Sequence, residues 1–388
     1  MMSLPVEVAT QTGRVEPEPS STTAATVRVL MVAGGTGGHI FPALAVAEEL
    51  RRRSKNRPEV EFEILFVGTG RGIEDRVIPA AGFGLKKIPG AGLKGIGGWR
   101  RIKNLMLLPQ CAIQTALVLR DFRPQVVLGL GGYIAGPAML LAALQGIPTV
   151  LIEPNVKPGF TNRVLAPVVR AAAVAFPETA EFYGRRARVT GNPIRAAVAS
   201  VPARRHVAPF TILILGGSLG ASAINDCVIT TLEFFAQERE SPRFIHQSGE
   251  RDYNKVRQAY QDRGIPAEVH AFIEDVPAAL ARADLVISRA GGNAVAELAA
   301  AGKACLLIPF PGAADHHQLA NAQALERIGA ARVIQQEDLS SKRLFSEVSA
   351  LLAAPAELER MELAARAFAR PNAASEIADL VEELATKR

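Results

Sequence analysis

Glycine clusters follow strand-like apolar segments at matching places in the two halves of the chain. VRVLMVA (27–33) leads into a cluster at 34–38, and TILIL (211–215) leads into a second at 216–220. Each cluster is followed by a helical pattern. Glycine lets the backbone turn sharply, and strands buried on both faces of a parallel sheet appear as continuous apolar runs. A recurring strand–glycine turn–helix unit predicts an α/β protein with a parallel sheet in each half.

The same alternation of strands and helices continues between these two units. Further strand-like segments are EFEILFVG, QVVLGL and TVLI in the first half, and RFIHQ, EVHAF, DLVISR and ACLLIPF in the second. Alternating β and α segments predict doubly wound parallel sheets. The length of 388 residues suits two domains. We therefore expect two Rossmann-like domains that face each other across a cleft.

Composition shifts suggest where these domains begin and end. Residues 1–26 are rich in Pro, Ser, Thr and Glu, which predicts a flexible tail, and the N-terminal domain should span 27–195. A linker-like stretch follows GNPIR, so the C-terminal domain should span 196–368. The last stretch, 369–388, is predicted to be a helix that packs back on the N-terminal domain.

One stretch without charged residues is long enough to span a bilayer. It runs from Val126 to Ile152, 27 residues. Seven glycines and prolines divide it into short pieces that alternate strand, glycine loop, helix, turn and strand. A parallel βαβ unit is therefore the better interpretation than a transmembrane span.

Composition excludes several classes of function. Hydrophobic residues make up 48% of the chain and the net charge is +6, so a full core and an anionic partner are both expected. The few aromatic residues are not interleaved with Arg or Lys, which argues against nucleic-acid binding. Cys111, Cys227 and Cys305 lack metal-ligand spacing and are expected to be buried thiols in a reducing, cytoplasmic compartment.

The glycine clusters are candidate phosphate sites. The first, at 34–38, precedes a helix, where free N–H groups attract anions, although a simple tight turn remains an alternative. Its spacing does not fit G-x-G-x-x-G, and the second strand lacks a terminal acid, so an NAD-dependent dehydrogenase is disfavoured. A fourth glycine pair, at 131–132 beside Tyr133, ends another strand, where α/β sheets bind ligands.

Two loops of the second half offer polar side chains. Ser218 either caps the following helix or faces a ligand. Glu297 follows the loop at 288–293, where it either interacts with the helix dipole or accepts hydrogen bonds from ribose hydroxyls. Both alternatives remain open on spacing alone.

Histidine is the main source of candidate acid–base groups. No pair of histidines has zinc-ligand spacing, so no metal is expected. His39 closes the first glycine loop and suits a general base, whereas His246 and His270 lie in strand-like segments and are expected to be interior residues. G-x-S-x-G, P-loop and D-x-D motifs are absent from the sequence, which disfavours hydrolase and ATPase chemistry.

Eight motifs in a fixed order resemble the MurG family of bacterial N-acetylglucosaminyltransferases, which convert lipid I to lipid II in peptidoglycan synthesis. They are GGTGGH, GLGGYIAGP, EPN…TNRVLA, GNPIR, GGSLGAS, FIEDV, RAGGNAVAELAAAGKACLLIPFP and DHHQLANA, and they cover about 27–370. The resemblance implies the GT-B fold, two Rossmann-like domains with the donor UDP-N-acetylglucosamine held mainly by the C-terminal one. It implies no cofactor.

The resemblance also implies roles for individual residues. Thr36, Gly37 and Gly38 would line the cleft, Asn155 would contact the donor sugar, and Arg195 and Ser218 would serve the nucleotide and its phosphates. Ile273 would meet the uracil through its backbone, and Glu297 would bind the ribose. The residues implied around the diphosphate are Gly292, Asn293, Ala294, Val295, Ala296 and Glu297.

This chain departs from the family pattern at some of these positions. IEPN stands where members of the family often carry H-E-x-N or H-E-Q-N, and the implied sugar-contacting pair, two glutamines in some members, is His317 and Gln318 here. Alanines at 294 and 296 offer only backbone groups to a ligand. The implied reaction is attack of the muramyl 4-hydroxyl on the anomeric carbon with inversion, and His39 is the candidate for the general base or for the residue that positions it.

The implied acceptor carries an undecaprenyl tail, so the protein is expected at the cytoplasmic face of the membrane, bound peripherally, where it meets other cell-wall synthesis proteins. The segment at 86–108 mixes basic and large apolar residues and suits an anionic lipid surface, although an ordinary amphipathic helix is the alternative. Other functions left open are a UDP-N-acetylglucosamine 2-epimerase, another GT-B glycolipid synthase and a non-catalytic sugar-nucleotide binding module.

Overall fold

Strands and helices alternate through both halves of the computed structural model, which describes residues 25–34, 37–70, 72–89, 107–217 and 220–386. The elements of the first half are β1 (Ala25–Val32), α1 (Gly37–Asn56), β2 (Val60–Gly68), α2 (Glu74–Ala80), β3 (Gly84–Lys87), α3 (Leu107–Phe122), β4 (Val126–Gly129), α4 (Gly132–Leu144), β5 (Thr149–Glu153), α5 (Phe160–Leu165), β6 (Ala171–Val174), α6 (Pro177–Tyr183), β7 (Ala187–Val189) and α7 (Ala196–Ala199). Those of the second half are β8 (Thr211–Leu215), α8 (Ser222–Phe235), β9 (Arg243–Gln247), α9 (Tyr253–Asp262), β10 (Ala267–His270), α10 (Val276–Arg282), β11 (Leu285–Ser288), α11 (Gly292–Ala300), β12 (Cys305–Leu307), α12 (His317–Arg327), β13 (Ala331–Val333), α13 (Ser341–Leu352), α14 (Pro355–Phe368) and α15 (Ala373–Thr386).

The strands form two separate parallel sheets, as predicted. The first has the order β3-β2-β1-β4-β5-β6-β7 and the second β10-β9-β8-β11-β12-β13. Strand order reverses between β1 and β4, and again between β8 and β11. Open α/β sheets bind ligands at the carboxyl ends of the strands on either side of such a reversal. Each sheet therefore has one preferred ligand edge.

The uncharged stretch from Val126 to Ile152 folds as the predicted βαβ unit. It supplies β4, α4 and most of β5, and the two strands pair in parallel with buried side chains. Among the described residues, no helix combines the length and apolarity needed to cross a membrane.

The last helix of the chain packs in the first domain. Ile377, Val381 and Leu384 of α15 join the same buried cluster as Leu50 of α1 and the strands of the first sheet. Burying side chains of this kind contributes about 1.5–3 kcal/mol each. Arg53 of α1 also binds Glu382 at 2.9 Å. The chain thus crosses between the sheets twice, once after β7 and once before α15.

Buried carboxylates and a histidine fasten the segment that joins the two sheets. Oδ1 of Asp284, at the start of β11, accepts hydrogen bonds from Arg204 Nε (2.8 Å) and His206 Nδ1 (3.0 Å). Asp284 Oδ2 accepts from the Thr211 amide (2.7 Å), and Glu362 lies 3.4 Å from His206 Nε2. These contacts, chiefly that with Asp284, raise the pKa of His206 to about 9. His206 is therefore, like Arg204, a cation of this ion cluster at neutral pH.

Two of the burial predictions need correction. His246 is buried, with hydrogen bonds to Asn225 and Tyr260, as predicted, but His270 is exposed. Its strand, β10, lies at the edge of the sheet, where one face is not covered. Cys111 and Cys305 are buried, whereas Cys227 is only half-buried on α8.

Candidate active site

The glycine turns lie at the carboxyl ends of the four strands that flank the two reversals of strand order. Gly34 follows β1, Gly131 follows β4, Gly217 follows β8 and Gly291 follows β11. Gly131 and Gly217 have φ of 83° and 77°, a backbone conformation that is unfavourable for residues with a Cβ. Local turn chemistry thus places each predicted loop at the ligand edge of its own sheet.

The ligand edges of the two domains touch at the start of α11. A Cβ on Gly292 would lie 2.2 Å from the carbonyl oxygen of Pro154, so the two backbones are in direct contact. Beside it, Asn192 Nδ2 donates to Asn293 Oδ1 at 3.1 Å. The loop after β5 and the helix N-terminus of the other domain therefore form the floor of one shared cleft.

His39 lies in the first turn of α1, with its ring against Gly132 of α4. A Cβ on Gly132 would stand 3.6 Å from the ring, so glycine leaves room for the imidazole there. His39 Nδ1 faces the Gly34 carbonyl at 3.4 Å. Burial lowers the pKa of His39 below its ordinary value, and the contact with Gly34 opposes this only in part. A neutral ring whose Nδ1 hydrogen points at Gly34 has Nε2 available as a base.

Arg195 and Glu297 form an ion pair between the end of the first domain and α11. Arg195 Nε lies 3.1 Å from Glu297 Oε1, and its guanidinium stacks on the ring of Phe41 in α1, 5.3 Å from the ring centre. Burial raises the pKa of Glu297, and Arg195 opposes this rise. The pair places a cation and an acceptor of hydroxyl hydrogen bonds beside the N-terminus of α11.

Asn155 lies in the contact between the domains, where both ends of its side chain are bonded. Nδ2 donates to Glu153 Oε1 (3.1 Å), and Oδ1 accepts from Asn321 Nδ2 of α12 (3.0 Å). Glu153 also accepts bonds from the amides of Asn155 and Gly159 and from Asn162 Nδ2. Burial raises the pKa of Glu153, although these donors favour its ionised form.

Ile273 follows β10, and its backbone is tied to the glycine turn after β8 through Gln247. The Ile273 amide donates to Gln247 Oε1 at 3.1 Å, and Gln247 Nε2 donates to the Gly217 carbonyl at 2.7 Å. The side chain of Ile273 is buried. Gln247 therefore joins the predicted base-binding residue to the predicted phosphate loop.

His317 and Gln318 begin α12 and are both held by backbone groups. His317 Nδ1 lies 2.7 Å from the Ala314 carbonyl, and Gln318 Oε1 accepts from the Phe310 amide at 3.0 Å. Because these contacts use His317 Nδ1 and Gln318 Oε1, the atoms left for a ligand are His317 Nε2 and Gln318 Nε2.

The other predicted site residues divide into three groups. Gly37 and Gly38 begin α1, and Tyr133 lies half-exposed in the first turn of α4. Asn293, Ala294 and Ala296 are half-buried on α11, while Gly292 and Val295 are buried. Thr36 and Ser218 lie outside the described residues, as does most of the basic and apolar segment at 86–108.

Sequence reasoning did not single out several residues of this cleft. Glu153, Gln247 and Asn321 carry its hydrogen-bond network, and Arg289 binds the carbonyls of Ile308 and Pro309 next to it. Glu153 and Asn321 fall inside quoted motifs, but no spacing assigns them a partner. Where the structure is described, no three His, Cys, Asp or Glu side chains are grouped as a metal ion requires.

Comparison with known proteins identifies relatives over most of the chain. The N-terminal domain of glycosyltransferase family 28 matches residues 29–174, and its C-terminal domain matches residues 211–383. A Myxococcus xanthus protein is 43% identical over 361 residues, 92% of this chain and 93% of its own. It is named UDP-N-acetylglucosamine--N-acetylmuramyl-(pentapeptide) pyrophosphoryl-undecaprenol N-acetylglucosamine transferase.

Solved structures agree with the family that these sequence comparisons indicate. The crystal structure of Acinetobacter baumannii MurG is 33% identical and superposes with a TM-score of 0.75, covering 92% of this chain and 99% of that one. A UDP-N-acetylglucosamine 2-epimerase from Neisseria meningitidis has a TM-score of 0.66 at 15% identity, with coverage of 92% and 100%, which shows the fold alone. The predicted GT-B architecture and the resemblance to the MurG family are both confirmed. The chain belongs to glycosyltransferase family 28.

Proposed function

We propose that the protein transfers N-acetylglucosamine from UDP-N-acetylglucosamine to the 4-hydroxyl of the muramyl sugar of lipid I, giving lipid II. The named activity of relatives 43% identical over 92% of the chain supports this donor and acceptor. The observation that carries the proposal is the shared cleft, where His39 lies at the ligand edge of the first domain and the Arg195–Glu297 pair lies at the ligand edge of the second.

The donor half of the proposed site is built mainly from the second domain, with Asn155 and Arg195 added by the first. The N-terminus of α11 offers backbone N–H groups, and Arg195 offers a guanidinium, to a diphosphate that gains charge as it leaves. Glu297 would accept the ribose hydroxyls, and the backbone of Ile273 would meet the uracil. Asn155, His317 and Gln318 supply the polar groups for the sugar.

The acceptor half of the proposed site is built from the first domain. With its pKa lowered by burial, His39 is neutral at cytoplasmic pH. Its Nε2 would take the proton of the 4-hydroxyl as that oxygen attacks the anomeric carbon. The bond to UDP breaks on the opposite side of that carbon, so the configuration inverts.

Release of UDP with and without acceptor tests this proposal. The purified chain is incubated with UDP-N-acetylglucosamine, with or without a short-chain lipid I analogue, and both UDP and disaccharide are measured. Acceptor-dependent UDP release with a disaccharide product is expected. UDP release without acceptor would indicate a hydrolase, conversion of the donor to an isomeric UDP-sugar would indicate an epimerase, and UDP binding with neither change would indicate a binding module.

We further propose that the first domain rests on an anionic membrane surface. Neighbouring helices α3, α4 and α5 expose large apolar side chains, and α3 follows directly on the basic segment at 86–106. The exposed side chains are Ile113, Leu117, Leu140, Leu144 and Val164. Such residues beside lysines and arginines suit insertion among acidic lipids.

Vesicle sedimentation tests this second proposal. Leu144→Glu, at a side chain 74% exposed, should reduce binding to vesicles that contain acidic phospholipid. Leu363→Glu is the matched control, because Leu363 is 68% exposed on α14 of the other domain. Equal losses of vesicle binding in the two variants, or wild-type binding that does not depend on lipid charge, would contradict the proposal.

A further inference from the structure

Asn321 is a fully buried side chain that joins the two domains across the cleft. It lies on α12 of the second domain with 0% exposure. Its Oδ1 accepts from the Val156 amide of the first domain at 2.9 Å. Its Nδ2 donates to Asn155 Oδ1 and to the Ala290 carbonyl, each at 3.0 Å. Asn321 therefore uses both Nδ2 hydrogens and its oxygen on groups that border the proposed donor site.

The bonds made by Asn321 give the Asn155 carboxamide a single favourable orientation. Oδ1 of Asn155 faces an amide donor on Asn321, and Nδ2 faces the Glu153 carboxylate. A flipped carboxamide would set donor against donor at Asn321 and acceptor against acceptor at Glu153. In the observed orientation, one Nδ2 hydrogen and one Oδ1 lone pair of Asn155 remain for a ligand.

We infer that Asn321 is a positioning residue for the donor sugar: it orients the Asn155 carboxamide from across the contact between the two domains. This inference rests on the proposed function, because it takes Asn155 as a contact of the sugar. Asn321 acts on the sugar through Asn155, and it does not itself touch the reacting atoms.

A double-mutant cycle tests the inference. Asn155→Ala, Asn321→Ala and the double variant are compared by kcat/KM for UDP-N-acetylglucosamine and by the inhibition constant of UDP, which lacks the sugar. Asn321→Ala should lower kcat/KM by about tenfold or more, as for loss of a buried hydrogen-bond partner. The UDP constant should stay within about twofold of wild type, and the double variant should be no worse than Asn155→Ala.

Asn225→Ala is the matched control. Asn225 is also 0% exposed in the second domain and also makes three hydrogen bonds, to Ser248, Asp252 and His246, but all of them lie within that domain. It should change thermal stability without changing the ratio of UDP-N-acetylglucosamine affinity to UDP affinity. If Asn321→Ala does not fold, Asn321→Asp keeps the size and the acceptor for Val156 while removing the donor Nδ2.

Two results would overturn the inference. One is additive losses in the cycle, which would mean that Asn321 does not act through Asn155. The other is a parallel loss of UDP and UDP-N-acetylglucosamine binding, which would mean a purely structural role. A wild-type protein that makes no disaccharide would instead refute the proposed function, and the ratio of the two affinities, which needs no acceptor, would still test the inference.

Discussion

Gly292 is the position where a single methyl group should separate the two domains. An alanine Cβ there would lie 2.2 Å from the Pro154 carbonyl oxygen, 2.7 Å from its carbon and 2.9 Å from its Cβ. Non-bonded carbon atoms have their optimum at about 3.5–4.0 Å, so the two backbones must move apart by roughly 1 Å. Gly292 has no positive φ and begins α11, so alanine itself fits the local conformation. The strain should therefore fall on the contact between domains.

Gly292→Ala should consequently reduce activity far more than stability. A misplacement of about 1 Å can cost about a hundredfold in rate, because the groups of the two domains no longer meet the same substrate. Within α11, alanine is favoured over glycine by up to about 1 kcal/mol, which offsets part of the clash. The assay is kcat/KM for acceptor-dependent UDP release, together with the melting temperature by calorimetry.

Gly159→Ala is the control for this experiment. Gly159 has φ of −62°, and a Cβ there would meet no atom within 4 Å. The Gly159→Ala substitution adds the same methyl group near the same cleft without a clash, so its kcat/KM should stay close to that of the wild type. Wild-type activity in Gly292→Ala, or an equal loss in both variants, would refute the argument that the backbone contact sets the geometry of the cleft.

Three further predictions concern ionisable side chains. His39→Ala should lower kcat by about 10²–10⁴-fold with an unchanged melting temperature, and near-normal turnover in this variant would exclude His39 as the base. Wild-type kcat should fall only below about pH 6.5, because burial lowers the pKa of His39. Glu297→Gln should weaken UDP binding by about tenfold, and 2′-deoxy-UDP should bind the variant and the wild type alike if this carboxylate accepts the ribose hydroxyl. The pKa of His206 is raised from 6.5 to about 9, so its contribution to the free energy of unfolding is at most about 3 kcal/mol. That contribution is complete below pH 6.5 and disappears as pH rises through 9. A His206→Gln variant should lose this pH dependence of the melting temperature, and an unchanged profile would contradict the role of His206 as a buried cation.

The repeated strand–glycine turn–helix units were predictable because their causes are local. An apolar run such as TILIL needs a sheet with both faces covered, and the glycines after it permit backbone angles that other residues disfavour. The same local logic excluded a membrane span at 126–152, because glycine and proline interrupt it. The carboxyl ends of parallel strands then lie at one edge, so His39 and Glu297 could be predicted to lie near that edge without knowledge of their contacts.

Burial at the edges of the sheets was less predictable. His246 and His270 lie in similar apolar segments, yet one is buried and the other exposed. The difference is that β9 is an inner strand and β10 an edge strand. Strand order depends on how the connecting helices cross the sheet, so it cannot be predicted from the residues of a single strand.

The pattern of apolar and glycine residues along the sequence by itself determined the fold class, the ligand edge of each domain and the candidate base. Only the tertiary structure decided which polar groups meet across the cleft. Asn155 and Asn321 are 166 residues apart, and Asn192 and Asn293 are 101 apart, so their pairing follows from how the two domains pack together. A hydrogen bond requires its atoms within about 3 Å, and no spacing within one segment can specify the relative position of two separately folded sheets.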